Sequence, residues 1–148
     1  MITEAASEHL LPWLISTRQA LMQRFLQHSL HHGLLLSGPE GIGKRQLANA
    51  LMKGLLCLQP SEQGECGQCQ SCKLVSAGTH PDHHVLESEK QLGVDAIRSG
   101  IAKLNSTAQI GRHKVLLIPV ADKMTEAASN ALLKTLEEPT DNTYLILI

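Results

Sequence analysis

Apolar positions in this chain follow two periods. Short continuous apolar runs at Leu34-Leu35-Leu36, Val115-Leu116-Leu117-Ile118 and Tyr144-Leu145-Ile146-Leu147-Ile148, with a smaller pair at Val85-Leu86, predict buried strands. Between them, apolar residues recur at helical spacing. Leu21, Met22 and Phe25 mark a helix from about Ser16 to His28, with Ser16 or Thr17 as cap and Trp13 as a core aromatic at its entry. Leu47, Ala48, Leu51 and Leu55 mark a second helix from Gly43 to Leu58, weakened slightly by Gly54. A short third runs from Gln70 to Ala77 and ends at Gly78. Ile97, Ile101 and Leu104 mark a fourth, opened by Gly93-Val94-Asp95. Ala128, Leu132, Leu133 and Leu136 mark a fifth from Glu126 to Glu138, capped by Thr125 and stopped by Pro139. Strands alternating with helices imply an α/β fold with a mostly parallel sheet, in one domain at 148 residues. The last strand runs to Ile148 with nothing after it to cover its next face, so the domain is expected to be incomplete at its C-terminus.

The first strand and second helix enclose Gly38-Pro39-Glu40-Gly41-Ile42-Gly43-Lys44-Arg45. Strand, glycine-rich turn and helix is the setting of a phosphate-binding loop, whose backbone N–H groups point at phosphate oxygens while the lysine reaches the outer phosphates. The pattern calls for Ser or Thr after the lysine, because that hydroxyl holds Mg²⁺; Arg45 stands there instead. P-loop ATPases also place an acid at the end of a second apolar strand. Here that position holds Pro119-Val120. Asp122 comes later and reads as a surface-loop residue, since a continuing strand rises about 3.3 Å per residue. Both Mg²⁺ features are missing, and with them the main electrostatic stabilisation of phosphoryl transfer.

Cys57, Cys66, Cys69 and Cys72 fall within one short stretch, three of them at two-residue gaps. Four thiolates complete a closed tetrahedral site of the structural-zinc kind. An iron–sulfur cluster also takes four thiolates, but its familiar spacing puts the fourth before a proline downstream. A redox pair needs fewer cysteines. His80-Pro81-Asp82-His83-His84 offers further donors without a second cluster at metal-ligand spacing, and His31-His32 reads as a solvated turn.

Net charge is −1 and 43% of residues are apolar, so no global basic field draws nucleic acid. Trp13, Phe25 and Tyr144 are too few for a base-stacking surface. No signal peptide or membrane-length apolar run is present, and the chain reads as cytoplasmic.

Asn130-Ala131-Leu132-Leu133-Lys134-Thr135-Leu136-Glu137-Glu138-Pro139, the four-cysteine insert after the P-loop helix and the His80-Pro81-Asp82 step carry a resemblance. The chain, from about Trp13 to Ile148, resembles the AAA+ clamp-loader subunits of bacterial DNA polymerase III. Two kinds share this layout. The motor kind (gamma/tau) keeps the hydroxyl and an Asp-Glu pair, whereas the delta-prime kind has lost the hydrolytic residues. Arg45, Pro119 and Val120 are similar to the delta-prime kind. The resemblance implies an incomplete AAA+ nucleotide-binding-type domain over residues 1–148, with a zinc module at about 57–77 and without lid or collar. It implies Cys57, Cys66, Cys69 and Cys72 as ligands of structural Zn²⁺. It also implies a degenerate loop of Gly38, Gly41, Gly43, Lys44 and Arg45 that holds ATP or phosphate weakly, without Mg²⁺, and no catalytic residue.

By the same resemblance the chain is a non-catalytic part of a loader that places the sliding clamp on primed DNA, beside gamma/tau and delta subunits and away from membranes. The family's arginine finger lies beyond the fourth strand, past Ile148. The helix ending at Pro139 would face a neighbour through Asn130, Lys134, Glu137 and Glu138, with Leu132, Leu133 and Leu136 as core. The alternative is an active motor-type ATPase with Asp122 as metal ligand. A small-molecule phosphotransferase would need an arginine-rich lid, and mid-chain only Arg98 and Arg112 are available.

Overall fold

The computed structural model describes residues 10–106, 108–110, 112–138 and 141–148. Helix α1 (Pro12–Leu26) starts earlier than its apolar spacing suggests, because Pro12 occupies the first turn, where its fixed φ suits a helix and its missing N–H costs nothing. Strand β1 (Gly33–Leu35), helix α2 (Lys44–Leu56), helix α3 (Gln70–Ala77), strand β2 (His83–Val85), helix α4 (Val94–Leu104), strand β3 (Lys114–Ile118), helix α5 (Glu126–Glu137) and strand β4 (Thr143–Leu147) follow. The α3 terminus falls at Gly78 with φ 76°, and Thr125 Oγ1 accepts the Ala128 N–H at 3.1 Å to cap α5, both as expected. Pro139 lies outside the described residues.

The four strands are parallel in the order β1-β4-β3-β2. Alternate residues of β3 serve opposite faces. Val115 and Leu117 join Met22, Phe25, Leu51 and Leu55 of α1 and α2 in one core. Leu116 and Ile118 join Ile97, Leu104, Ala128 and Leu132 of α4 and α5 in another. The result is three layers, helices on both faces of a parallel sheet.

Several expectations are corrected. Strand β4 pairs with β1 on one side and β3 on the other, and its Leu145 and Ile146 are buried on opposite faces. The premise of an uncovered last strand is therefore not met. Strand β1 is not fully buried: it lies at the end of the strand order, and Leu35 is 68% exposed. On α5, Leu132 is buried but Leu133, one residue round the helix, is 51% exposed. The histidine turn is only partly solvated, because the His31 and His32 rings stack at 4.2 Å and His32 Nε2 meets the Leu136 carbonyl at 2.6 Å. Gly54 also has a packing role beside its cost to the helix, since a Cβ there would lie 2.7 Å from the Met22 Sδ. That contact lets α1 and α2 approach closely.

Candidate functional site

The glycine-rich loop, the carboxyl ends of β1 and β4 and the residues after β3 enclose a cleft of about 680 Å³. Lys44, Arg45, Pro119, Val120 and Asp122 line it. This is the position where open parallel sheets bind ligands. The loop needs its glycines for two reasons. Gly41 and Gly43 have φ of 81° and 98°, a left-handed backbone that side chains disfavour. At Gly43 a Cβ would also strike Leu11 Cδ1 at 2.7 Å and Leu14 Cδ1 at 2.8 Å, so α1 presses against the loop.

The start of α1 also fastens the loop by hydrogen bonds. Trp13 Nε1 donates to the Ile42 carbonyl at 2.8 Å, and the Leu11 N–H donates to Gln46 Oε1 at 3.0 Å. Trp13 is 56% exposed, so the core-aromatic expectation fails. Its role is to tie α1 to the loop, and its partner is too distant in sequence for local pattern to reveal it.

Lys44 is the first residue of α2, and its Nζ donates to the Gly38 carbonyl at 2.8 Å. Arg45 Nη2 meets Glu87 Oε2, just past β2, at 3.4 Å. A 3₁₀ turn at Ala121–Lys123 folds the chain back after β3 and brings the exposed Asp122 to the cleft wall, closer than a continuing strand would.

A second arrangement lies beyond the far end of α2. The sulfurs of Cys57, Cys66, Cys69 and Cys72 all lie within 4.8 Å of one another. The Cys57–Cys69 and Cys66–Cys72 separations are both 3.9 Å. A tetrahedron with metal–sulfur bonds of about 2.3 Å has edges of about 3.8 Å, so the spacing fits a four-coordinate thiolate site. These are non-bonded distances, and all four cysteines are free.

Backbone N–H groups aim at the sulfurs. Cys57 Sγ accepts from Gln59 and Cys66, each at 3.3 Å. Cys66 Sγ accepts from Gln68 and Cys69 at 3.4 and 3.3 Å, and Cys69 Sγ from Leu58 and Cys72 at 3.5 and 3.4 Å. Such donors favour thiolate and orient ligands. The Gln68 and Cys69 N–H groups pull the Cys66 thiol down. Burial opposes ionisation of Cys69, yet the Leu58 and Cys72 N–H groups, together with the neighbouring Cys72 and Cys66 thiols, outweigh it and bring its pKa to about 6. Burial pushes Cys57 and Cys72 up. Two thiols eased toward thiolate by backbone N–H donors and two buried thiols are a donor set that a soft divalent cation completes by displacing protons. The four cysteines can hold a metal ion.

The histidine-rich step has structural work instead. Both carboxylate oxygens of Asp82 accept backbone N–H groups, from Gln109 at 2.8 Å and Ile110 at 2.9 Å. His80 is buried against Ser71. Among the described residues, the four cysteines form the one group of three or more metal-capable side chains that converges.

Comparison with known proteins identifies the family. The sequence model of the family described as "DNA polymerase III, delta subunit" matches residues 15–148. The DNA polymerase III subunit delta' of Pseudomonas aeruginosa is 46% identical over 141 residues, which cover 93% of this chain and 42% of that protein. The Escherichia coli subunit delta' is 44% identical over 92% of this chain and 42% of its own length. The Haemophilus influenzae subunit tau/gamma is 33% identical over 86% of this chain and 19% of that protein. Among solved structures, a DNA polymerase III gamma subunit-related protein from Thermotoga maritima superposes with a TM-score of 0.66 at 21% identity, over 88% of this chain and 38% of that one. This likeness shows the shared fold. The chain thus spans about two-fifths of the length of the delta' relatives it matches. No helix among the described residues is long and apolar enough to cross a membrane.

Proposed function

This chain belongs to the bacterial DNA polymerase III delta' family, and from that premise we propose that it is a non-hydrolysing clamp-loader subunit of AAA+ type, acting in the cytoplasm. Its partners would be the gamma/tau and delta subunits, and through them the sliding clamp and primed DNA. The observation that carries the reading is Arg45 after the loop lysine together with Pro119-Val120 after β3. No hydroxyl and no strand-end carboxylate are left to hold Mg²⁺ where phosphoryl transfer needs it. The cleft then serves as a rigid face with weak affinity for phosphate or nucleotide.

In the same reading, Cys57, Cys66, Cys69 and Cys72 hold structural Zn²⁺, which would join the end of α2 to the start of α3. With four protein ligands no coordination position is left for a substrate, so the metal stabilises and does not catalyse.

The test is ATP turnover by the full-length subunit, with and without Mg²⁺, first alone and then assembled with gamma/tau and delta. No turnover alone, with normal assembly, is expected. Turnover of the isolated subunit at about 1 per second would instead favour a motor-type ATPase. The 3₁₀ turn that brings Asp122 to the cleft is what supports that second reading.

A further inference from the structure

We propose that the cleft takes a polyphosphate anion without a divalent cation, with the Arg45 guanidinium in the place of the metal and Glu87 as the counter-ion that Arg45 releases on binding. This rests on reading the glycine-rich loop as a phosphate cradle.

The two substitutions that remove Mg²⁺ are not equivalent. Pro119-Val120 only deletes a carboxylate. Arg45 replaces a neutral hydroxyl with a permanent cation whose planar fork matches phosphate oxygens. A cation at that position offers the charge neutralisation the metal would supply, while repelling the metal itself.

Without ligand, Arg45 is paired with Glu87 at 3.4 Å, and the two side chains are 47% and 54% exposed. Exposed pairs of this kind are weak and readily exchanged. Lys44 likewise spends its ammonium on a neutral partner, the Gly38 carbonyl. Two loop cations therefore have replaceable partners beside a cleft of about 680 Å³.

Glu87 is not on a free loop. Lys123 Nζ donates to the Ser88 and Glu89 carbonyls at 3.1 and 3.2 Å. The Leu92 N–H donates to the Lys123 carbonyl at 2.8 Å, and the Thr125 N–H to the Leu92 carbonyl at 2.9 Å. The segment after β2 is thus bound to the same 3₁₀ turn that carries Asp122 to the cleft, which keeps the Glu87 carboxylate within reach of Arg45. Glu87 is a competitor that an incoming phosphate must displace. Glu40 and Asp122 add further negative charge to the wall, so the affinity is modest.

Calorimetric titration of the full-length subunit with ATP, in EDTA and then in excess Mg²⁺, tests this, with inorganic tripolyphosphate as a second probe. Binding in EDTA is expected to equal or exceed binding in Mg²⁺, because the metal complex carries less charge and finds no ligands. Glu87→Gln should tighten metal-free binding by about two- to fivefold, the scale of an exposed ion pair. Arg45→Ser should weaken it by about tenfold, the scale of a charge-assisted hydrogen bond. Both side chains are exposed, so thermal melts should match the parent and exclude misfolding. ATP binding that requires Mg²⁺ overturns the proposal, and if turnover accompanies it the non-hydrolysing reading falls as well. No binding in either buffer overturns the proposal and leaves the non-hydrolysing reading standing. Unchanged affinity in Glu87→Gln removes the counter-ion role.

Discussion

His80 Nε2 lies 2.7 Å from Ser71 Oγ, and the surrounding bonds fix the direction of the proton. The Ser71 hydroxyl donates to the Leu56 carbonyl at 2.5 Å, so it must accept from His80. At the other side of the ring, Nδ1 accepts the Asp82 N–H at 3.0 Å. The imidazole is therefore neutral with its proton on Nε2, and burial lowers its pKa in agreement. This relay joins the end of α2, the start of α3 next to Cys72, and the turn into β2. Ser71→Ala breaks it by leaving a buried carbonyl and a buried ring N–H without partners. It should cost about 1–3 kcal/mol, seen as a lower midpoint in thermal unfolding. A midpoint within 1 °C of the parent would show that the relay contributes nothing.

Acid should destabilise the fold through a second histidine. Burial, and next the nearby His80, depress the His83 pKa from 6.5 to about 4. Its Nε2 is buried without a hydrogen-bond partner. The unfolded chain then binds a proton that the folded chain refuses, between pH 6.5 and about 4. This contribution to stability is complete above pH 6.5 and is lost as pH falls through that window. His83→Phe removes the titration and buries no new polar atom, so its stability should fall less steeply in urea titrations at pH 7, 6 and 5. Metal release at low pH affects parent and variant alike. Parallel slopes would count against His83 as the source.

Metal content gives a direct test of the cysteine cluster. One zinc per chain is expected on elemental analysis, with thiol reagents finding no reactive cysteine until a chelator is added. Substituting cobalt should give the intense charge-transfer bands of tetrahedral thiolate coordination. Cys72→Ser should lose the metal and lower the melting midpoint. A metal-free protein with four freely reactive thiols would refute the assignment.

The cysteine spacing, the Thr125 cap and the Gly78 terminus were legible because each is decided within a few residues. Features decided at long range leave no such local signal. Trp13 looked like core because it is aromatic and stands among apolar residues, yet its bond runs to Ile42 across the loop. The packing role of Gly54 has no local signal because its partner, Met22, lies on another helix. The run Leu34 to Leu36 looked buried because nothing local says that β1 ends the strand order and exposes Leu35. Gly54→Ala tests the long-range contact: overpacking against Met22 should cost about 1–3 kcal/mol, although alanine is the better helix former. A more stable Gly54→Ala variant would mean that helix propensity outweighs the clash.

Adjacent leucines on α5 separate folding from assembly. Leu132 is 2% exposed and packs with Ile97, Leu116 and Ala128, whereas Leu133 is 51% exposed. An aspartate at Leu132 would bury a charge without a partner and should unfold the domain. At Leu133 the same change should alter stability by no more than about 0.5 kcal/mol, the usual limit for a surface site. Asn130, Lys134, Glu137 and Glu138 are exposed on the same helix, and the two glutamates sit at its C-terminal end, where the dipole disfavours them. Local stability does not account for that choice; on the reading proposed above, this face would meet a neighbouring subunit, with Leu133 as its apolar centre. Leu133→Asp should therefore fold normally and be retained less by gamma/tau and delta in size-exclusion chromatography. If it co-elutes with them as the parent does, this face of α5 is not a subunit contact.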